Sequence, residues 1–600
     1  MRERPLPAAP GRARHRGGRA ERIGAGLALG LCLLGCDRGS TPGAGKSPAD
    51  AETPTPERAS SRLEFDLLAF GRVLGTVAPC GCTTEPLGGL QYAFGFLNER
   101  TSEGAFAVLE PGSFLYPDPH GKEAPKTEAE WGQAHRRAQM LHNRFAALGP
   151  ALVSGLGPND VRGPSGLEAL AKHPLPRVLA NFTPKDEAHT TLASVPAHRI
   201  VSLDRDGVGL TLGVTAIVDP SLKEAAGLET LTAQGELTDA AGALREQIAT
   251  MRKAGAQVTI ALAHGERSFA EELARSVEGL DMVVVGVVEG LERQRVGSGM
   301  ARLGDTYVIE PGEQLQTVTH VRLSIDRKGG TVPPASAWTV VPPASVLQEE
   351  LERVRERIAK YRADPEADPA FIARLDEERV RLEAQIGGKV EGDAVVTFEQ
   401  VKVTCRLPVD EPAKQSLDAY DAWIADSNKQ LFAGVKPPAP AKGQAGYVGV
   451  EECDNCHSEA VEHWQTTRHF GAYKTLVDDN KQFDLSCVSC HVTGFREPGG
   501  SEVVENEGLQ AVQCETCHGP GSIHADDPTT DNIRLHTTEE TCLGCHNPEH
   551  SDTFQYEAYL RDVLGPGHGA PKRELLGDGP TGRELRAAGF AKAGGACDKM

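Results

Sequence analysis

Four copies of the pattern Cys-x-x-Cys-His near the C-terminus constrain the fold more than any other feature of this 600-residue chain. They are Cys453/Cys456/His457, Cys487/Cys490/His491, Cys514/Cys517/His518 and Cys542/Cys545/His546. This spacing is an attachment signature for c-type haem, because two thiols form thioethers with one porphyrin while the adjoining imidazole binds the iron. The sequence therefore predicts four covalently bound haem c groups, with the motif histidines as proximal ligands.

Zinc is the main competing interpretation of these motifs, since paired Cys-x-x-Cys units also form zinc ribbons. A disulfide framework is the other alternative. Neither requires a histidine directly after every cysteine pair, so we favour haem.

The sixth ligand of each iron must come from outside the motifs. Six methionines are present but none lies between Met300 and Met600, so a His/Met iron is excluded unless Met600 folds back. Only nine of the 19 histidines lie outside the segment from Gly446 to Lys572. Within it, the non-motif histidines are His463, His469, His524, His536, His550 and His568. This enrichment predicts bis-imidazole ligation at low redox potential.

Several runs around the motifs resemble the cytochrome c-554 family of tetrahaem cytochromes over roughly residues 446–570. They are WQTTRH ending at His469, CETCHGPGSIH ending at His524, and HSDTFQY beginning at His550. The resemblance implies that His469 and His524 are distal ligands, joined by His550 and His568, with His463 and His536 as further candidates. It also implies electron transfer by mostly bis-His irons, one of which is sometimes five-coordinate.

The haem-bearing segment, residues 447–572, has little periodicity and few aromatic residues. Such a segment cannot build an ordinary core, whereas four macrocycles supply a large apolar interior. We therefore predict a mainly helical or irregular multihaem domain that does not fold without its haem.

The N-terminus resembles that of a bacterial lipoprotein. An Arg-rich start leads into a short apolar stretch that ends Leu34-Gly35-Cys36, as in a lipobox. Residues 1–35 are then a signal peptide, Cys36 the lipidated residue, and 36–62 a flexible tether rich in Gly, Ser, Thr, Pro and Ala. An ordinary signal with an incidental cysteine is the alternative. We expect a lipid-anchored protein on the periplasmic side of a bacterial membrane, with inner or outer membrane left open.

Residues 63–341 alternate strand-like and helical runs, which predicts a layered α/β fold. Predicted strands lie at 66–69, 107–109, 178–179, 209–215, 258–263 and 282–286. The runs GTVAPCGC from Gly75, LAN ending at Asn181 and IALAHG containing His264 resemble the metallophosphatase domain of 5′-nucleotidases.

That family holds two metals with Asp and His residues at strand ends, and most of these residues are replaced here. Arg72 and Leu74 stand where an Asp-x-His is expected, and Gly112-Ser113 where a Gly-Asp is expected. Gly157 to Asp160 and Gly286 to Glu289 replace two further elements, whereas Asn181 and His264 remain. We therefore expect a degenerate, inactive scaffold, with no catalytic residue assigned.

The remaining segments connect these regions. Heptad-like spacing predicts a helical hairpin over 342–388, followed by a connector over 389–435 that packs on the first domain. A Pro-rich linker at 436–446 leads into the haem domain, and the tail at 573–600 is expected to be poorly ordered. Among the cysteines outside the motifs, Cys80 or Cys82 is predicted to pair with Cys405, while Cys597 leaves other pairings open. Metal binding or redox use of Cys80 and Cys82 is the alternative.

Together these features predict a membrane-tethered tetrahaem cytochrome that transfers electrons between a redox protein donor and acceptor. One alternative is an oxidoreductase acting on a small nitrogen or sulfur species at a five-coordinate haem. Another is a metallophosphohydrolase with a cytochrome module, although we expect electron transfer rather than hydrolysis. The formal net charge of −21 repels phosphate backbones, so nucleic acid is not an expected partner.

Overall fold

The structure is a computed structural model of the chain. It describes residues 62–79, 83–102, 104–117, 124–162, 166–172, 174–186, 191–222, 227–286, 299–326, 332–388, 392–547 and 550–594. The predicted signal peptide, residues 36–61 of the predicted tether including Cys36, Cys80, Cys82, residues 287–289 and Cys597 lie outside the described residues, whereas Arg62 begins the first strand.

The N-terminal region is built on β-strands that form two large sheets and one small one. In chain order they are β1 (Arg62–Ala69), β2 (Phe106–Glu110), β3 (Leu152–Ser154), β4 (Phe182–Pro184), β5 (His198–Arg205), β6 (Val208–Val218), β7 (Gly235–Leu237), β8 (Val258–His264), β9 (Met282–Gly286), β10 (Gly299–Leu303), β11 (Thr306–Glu310), β12 (Thr317–Asp326), β13 (Thr339–Val341) and β14 (Ala394–Lys402). The first large sheet has the order β13-β14-β12-β1-β2-β3, and the second has the order β10-β11-β9-β8-β6-β5. Strands β4 and β7 pair separately.

The two large sheets pack face to face around one apolar core. Successive residues of a strand point to opposite faces, so every second residue enters this core. In β1 these are Leu63, Phe65 and Leu67, and in β8 they include Ile260 and Leu262. The pairing of β1 with β2 and of β2 with β3 is parallel, which brings their carboxyl ends to one edge.

Helices cover the outer face of each sheet. In chain order the helices of this region are α1 (Leu90–Ser102), α2 (Glu128–Ala146), α3 (Gly166–Lys172), α4 (Leu228–Gln234), α5 (Ala240–Lys253), α6 (Arg267–Ser276), α7 (Ala344–Arg362), α8 (Pro369–Gly387) and α9 (Glu411–Leu431). Side chains of α1, α2 and α9 pack on the first sheet, and those of α5 and α6 pack on the second. This helix–sheet–sheet–helix arrangement confirms the predicted layered α/β class.

One predicted strand is not formed. Val178 and Leu179 lie outside regular strands, and only Arg177 makes an isolated bridge, to Ser154. Pro174 and Pro176 precede this stretch and have no backbone N–H to donate. A continuous ladder therefore cannot extend along this segment.

Helices α7 and α8 form the predicted helical hairpin. Its apolar seam is made of Leu351, Val354, Ile358, Leu375 and Leu382. Asp368 caps the second helix by accepting a hydrogen bond from the Ala370 N–H at 2.9 Å, and Pro369 occupies the first helical position. The chain then returns to the first sheet, where β14 pairs with β12 along its length.

The C-terminal region contains short helices and irregular segments. The helices are α10 (Val450–Trp464), α11 (Ala472–Asp478), α12 (Cys514–His518), α13 (Ser522–Asp526), α14 (Glu539–Leu543), α15 (Tyr556–Val563), α16 (Ala570–Leu575) and α17 (Gly582–Ala593). Its fully buried apolar cluster is small, with Val488, Val492 and Val503 at its centre. Among the described helices, none is both long and apolar enough to cross a bilayer.

The expectation of poor order after Lys572 is wrong for much of the tail. Helix α17 begins with a capping box in which Thr581 and Glu584 satisfy each other's backbone N–H groups. It packs on α15, and Gly589 lies close to the side chain of Thr84. Local capping and these contacts order a stretch whose apolar residues are too sparse to predict a helix.

Candidate multihaem cavity

One large cavity lies between the C-terminal region and the edge of the α/β region. Its volume is about 1760 Å³, and all eight motif cysteines and all four motif histidines line it. None of these eight cysteines is in a disulfide, which argues against the disulfide framework. Segments separated along the chain by about a hundred residues are thus brought to one cavity.

Local backbone structure explains how each motif presents its side chains. Cys514 to His518 form helix α12, Cys542 lies in α14, and Val488 to Cys490 form a 3₁₀ turn. In such turns residues three apart share a face, so both thiols point the same way. At His457 the backbone leaves helical geometry within α10, with φ −121° and ψ 37°.

Two motif histidines face a non-motif histidine across the cavity. The rings of His457 and His524 have centroids 6.4 Å apart and an interplanar angle of 22°. The rings of His469 and His546 are 6.1 Å apart and inclined by 38°. Two imidazoles on opposite sides of one metal ion, each with a metal–nitrogen bond of about 2 Å, place their centroids about 6 Å apart. Both pairs therefore have the separation required for two-sided ligation.

Hydrogen bonds at Nδ1 orient several of these imidazoles. His491 Nδ1 lies 2.5 Å from the Ala472 carbonyl oxygen, and His518 Nδ1 lies 2.7 Å from that of Arg534. His524 Nδ1 is 3.0 Å from the carbonyl oxygen of Thr529. A ring that donates through Nδ1 presents an unprotonated Nε2, which is the state that binds a metal.

Burial keeps the relevant imidazoles neutral. Burial lowers the pKa of His469, and burial together with His469 and Arg586 lowers the pKa of His546 to about 4. A neutral imidazole is the form that can donate its lone pair to iron. This electrostatic environment suits ligation at the His469–His546 pair.

The remaining non-motif histidines occupy different positions. His536, His550 and His568 line the cavity. The ring of His463 lies close to Gly565, and its centroid is 6.4 Å from that of His568, with the ring planes inclined by 78°. Burial, His518 and His463 lower the pKa of His568.

The residues present fit covalently bound haem. Eight thiols in four pairs meet the requirement for thioether attachment, and the motif imidazoles line the same cavity. Nε2 of His463 is a buried polar atom that has no hydrogen-bond partner. Within the described ranges, no group of three or more His, Cys, Asp or Glu side chains forms a metal-ion site.

The α/β region contributes part of the cavity wall. The loop after β1 supplies apolar lining residues, including Val77 and Leu87. In the same loop, the N–H and the hydroxyl of Thr84 donate to the Asp552 carboxylate at 3.0 and 2.7 Å. The two regions therefore share one boundary at the cavity.

A second cluster of polar residues lies at the carboxyl ends of the parallel strands, where the metal ligands of the metallophosphatase family are expected. Arg72 is 1% exposed, and its Nη2 lies 3.0 Å from each carboxylate oxygen of Glu313. Arg177 Nη1 donates to Asp160 Oδ2 at 3.2 Å. These ion pairs place fixed positive charges in the cluster and so disfavour cation binding there.

The two retained residues of this cluster are not arranged as a metal site. Asn181 Nδ2 donates to the Val218 carbonyl at 2.7 Å, and its Oδ1 accepts from the Val218 N–H at 3.0 Å. His264 is buried, and neither ring nitrogen has a hydrogen-bond partner. Burial lowers the pKa of His264 to about 4, with Asp160 opposing and Arg72 reinforcing the shift.

Glu110 is a further buried residue of this cluster that the sequence patterns do not reveal. Burial and the neighbouring Asp160 raise its pKa to about 8, against hydrogen bonds from Ser154 and Gly112. Glu110, Arg177 and Glu313 lie far apart in sequence, and no motif marks them. Only the approach of separate strand ends brings them together.

Cys405 is disulfide-bonded. Its partner lies outside the described residues, so pairing with Cys80 or Cys82 stays a prediction. The adjacent backbone of Val403 accepts a hydrogen bond from the Gly88 N–H at 2.8 Å. The Cys405 segment is therefore close to the loop that contributes to the cavity wall.

The C-terminal region is similar in sequence to known cytochromes. Residues 452–519 match the family model of cytochrome c554 and c-prime. A stretch of 93 residues is 33% identical to cytochrome c-554 of Nitrosomonas europaea, covering 13% of this chain and 40% of that protein. The chain thus spans less than half the length of this relative. The match confirms the predicted resemblance to the cytochrome c-554 family and indicates covalently bound haem c.

Solved structures similar to the chain include phosphoesterases and related hydrolases. Thermus thermophilus sulfate thiohydrolase SoxB has a TM-score of 0.39 at 13% identity, covering 60% of each chain. The 5′-nucleotidase precursor from Thermus thermophilus has a TM-score of 0.38 at 12% identity, covering 63% of this chain and 61% of that one. The calcineurin-like phosphoesterase YfkN of Bacillus subtilis has a TM-score of 0.38 at 14% identity, covering 60% of this chain and 97% of that one.

Proposed function

We propose that this protein is a membrane-tethered tetrahaem c-type cytochrome that passes electrons between a donor and an acceptor protein on the periplasmic side of a bacterial membrane. The observation that carries this proposal is the single cavity lined by all four Cys-x-x-Cys-His motifs. The family match of residues 452–519 supports a multihaem cytochrome role in electron transfer.

Two kinds of side chain would hold the four prosthetic groups: cysteine thiols and histidine imidazoles. Each pair of thiols would anchor one porphyrin, and each motif imidazole would supply an iron ligand. Haem c bound in this way supplies one-electron redox chemistry. The carbonyl groups of Ala472 and Arg534 fix the rings of His491 and His518, which sets their orientation and basicity as ligands.

The ring geometry supports specific distal assignments. We assign His524 to the iron bound by His457, because their rings lie 6.4 Å apart. We assign His469 to the iron bound by His546, because those rings lie 6.1 Å apart. His568 lines the same cavity and stays a candidate distal ligand without an assigned iron.

Membrane attachment is proposed from the sequence alone. Cys36 would carry the lipid, and the segment after it would tether the first domain. The test is fractionation of cells that express a Cys36→Ser variant, with Cys32→Ser as the matched control. We expect only Cys36→Ser to lose lipid from the protein. An unmodified wild-type Cys36 would contradict the anchor.

The second and third motifs support one alternative activity. In the part of the chain that the structure describes, the motif histidines with another imidazole about 6 Å away include His457 and His546 but neither His491 nor His518. An iron with one open position could bind and transform a small nitrogen or sulfur species. A high-spin signal that responds to cyanide or nitric oxide would favour this activity over simple relay.

The experiment that tests electron transfer uses the purified, matured full chain. Stopped-flow optical spectroscopy would follow its reduction by a low-potential dye and its reoxidation by a mediator of higher potential. We expect all haem absorbance to respond in both directions. A pigment that is covalently attached but redox-silent over this range would overturn the proposal.

A further inference from the structure

The segment directly before the second haem motif, residues 481–486, is held by two helices of the α/β region. Asn428 of α9 donates its Nδ2 to the Phe483 carbonyl oxygen at 2.7 Å. Gln133 of α2 lies with its Nε2 3.4 Å from Asp484 Oδ1. Gln133 and Asn428 are each 3% exposed, so these contacts are part of a buried boundary.

Asp484 links this boundary to the motif itself. Its backbone carbonyl accepts hydrogen bonds from the Cys487 N–H at 3.0 Å and the Val488 N–H at 2.9 Å. Its side-chain Oδ1 also accepts from the Ser486 N–H at 2.9 Å. The position of the first thiol of this motif is therefore fixed through Asp484 to the α/β region.

Helices α2 and α9 also form part of the cavity wall next to this motif. Arg137, Tyr420 and Asp421 line the cavity together with Ser486 and Cys487. Arg137 is 8% exposed, and its Nη1 lies 3.5 Å from the Ser486 hydroxyl oxygen. The guanidinium of Arg137 thus reaches the residue adjacent to the attachment thiol.

A positive charge beside the second haem motif would compensate the negative charge of a haem bound there. Each haem carries two propionate carboxylates, and a buried carboxylate is costly unless a cation or hydrogen-bond donors compensate it. The cationic side chains that line the cavity are Arg137, Arg468, Lys481, Lys572, Arg583 and Arg586. Of this set, Arg137 belongs to the α/β region.

Lys481 is the other cation near this motif, but acidic residues surround it. Burial opposes its charged form, yet Asp421, Cys487, Asp484 and Asp479 raise the pKa of Lys481 above its usual value. Its charge is therefore offset by neighbouring carboxylates. Arg137 approaches the motif from the opposite chain region, beside the hydroxyl of Ser486.

We propose that the α/β region forms part of the haem pocket at Cys487 and Cys490, and that Arg137 supplies positive charge to the propionates of that haem. This inference rests on the proposed function, since it requires haem at the second motif. It gives the α/β region a role that needs no hydrolytic activity: the region positions one haem and sets its redox potential.

The test uses full-length, matured protein and measures the midpoint potentials of its haems by optical redox titration. The variant Arg137→Met removes the charge while keeping an unbranched side chain. Its matched control is Arg136→Met, which makes the same change at the neighbouring, exposed position of α2, where the guanidinium lies over the Trp423 ring. Arg137→Lys keeps the charge.

A cation near the haem favours the ferrous form, since reduction adds an electron. Arg137→Met should therefore shift one component to a more negative potential, equivalent to roughly a tenfold change in its ferrous-to-ferric ratio. Arg137→Lys should restore most of the shift, and Arg136→Met should leave every component unchanged. The shifted component should be the one missing from a Cys487→Ser/Cys490→Ser variant.

Unchanged potentials in Arg137→Met would overturn the inference, as would a shift confined to a different component or an equal shift in Arg136→Met. If Arg137→Met does not accumulate as holoprotein, Arg137→Gln removes the same charge with a polar side chain and is judged by the same criteria. Intact mass separates the two proposals. A wild-type chain without haem contradicts the proposed function, whereas four haems with unchanged potentials contradict only this inference.

Discussion

The imidazole rings of His457 and His524 lie 6.4 Å apart between centroids, with their planes inclined by 22°. One ring belongs to a haem motif in α10, and the other belongs to the short helix α13. The pair formed by His469 and His546 repeats this relationship at 6.1 Å. In each pair, a motif histidine faces a non-motif histidine across the cavity, which is the arrangement that two-sided ligation of iron requires.

Loss of one distal ligand should change the spin state of one iron. In His524→Ala, we expect one of the low-spin ferric signals in the EPR spectrum to be replaced by a high-spin signal. The variant His142→Asn, on α2 and away from the cavity, should keep the wild-type spectrum. If His524→Ala retains every low-spin signal, the assignment of His524 as a ligand is wrong.

The ion pair between Arg72 and Glu313 should matter for stability because both residues are buried. Arg72→Met leaves the Glu313 carboxylate without its cation, which should lower the free energy of unfolding of the α/β region by about 3–5 kcal/mol. The double variant Arg72→Met/Glu313→Leu should regain most of this loss. Urea unfolding monitored by circular dichroism measures both effects.

A surface ion pair provides the control for that experiment. Lys172 and Glu168 are 65% and 63% exposed, so Lys172→Met should leave the free energy of unfolding nearly unchanged. A loss in Arg72→Met no larger than in Lys172→Met would show that the buried pair has no special role.

His264 should make the α/β region sensitive to acid. Its pKa is about 4 when folded and 6.5 in the unfolded reference, so between these values the unfolded state binds more protons. The contribution of His264 to stability is complete above about pH 6.5 and is lost as the pH decreases toward 4, by on the order of a few kcal/mol. Glu110 has the opposite effect on stability. Its pKa is about 8 when folded and 4.5 in the unfolded reference, so its contribution lowers stability as the pH rises from 4.5 to 8.

The variant His264→Leu isolates this contribution. Between pH 6.5 and 4.5, we expect the difference in urea midpoint between His264→Leu and the wild type to shift in favour of the variant, whatever the two midpoints are at pH 7. The variant His142→Leu should keep the wild-type slope. Equal pH slopes in His264→Leu and the wild type would contradict the role assigned to His264.

We expect no metal-stimulated phosphatase activity from the α/β region. The guanidinium of Arg72 is paired with Glu313, and both nitrogens of His264 are buried. The assay is hydrolysis of p-nitrophenyl phosphate by full-length protein with and without Mn²⁺. Turnover that depends on Mn²⁺ and is lost in His264→Ala would show that the domain is an active hydrolase.

The sequence predicted elements with strong periodicity and motifs with a fixed chemical spacing. The strands around Ile260 and Val284 form as predicted, because continuous apolar runs of this length suit a strand buried on both faces. The seam of the helical hairpin, from Leu351 to Leu382, follows directly from its spacing. The predicted strand at 178–179 does not form. Pro174 and Pro176 precede it and have no backbone N–H to donate to a neighbouring strand.

The rest depends on contacts between residues distant in sequence. Arg72 was predicted to replace a metal ligand, but its partner Glu313 lies 241 positions away and no motif identifies it. No sequence pattern predicts that α2 and α9 line the cavity beside the second haem motif, because Arg137 and Ser486 lie in different regions of the chain. Ring geometry, rather than sequence, supports pairing His469 with the fourth motif instead of the adjacent first one.

The central claim is that all four motifs carry covalent haem, and intact-mass spectrometry of the purified, matured chain tests it most directly. We predict a mass equal to that of the processed polypeptide plus four haem groups, retained under denaturing conditions because thioethers do not dissociate. A mass with fewer than four, or a colourless protein with none, would contradict the claim.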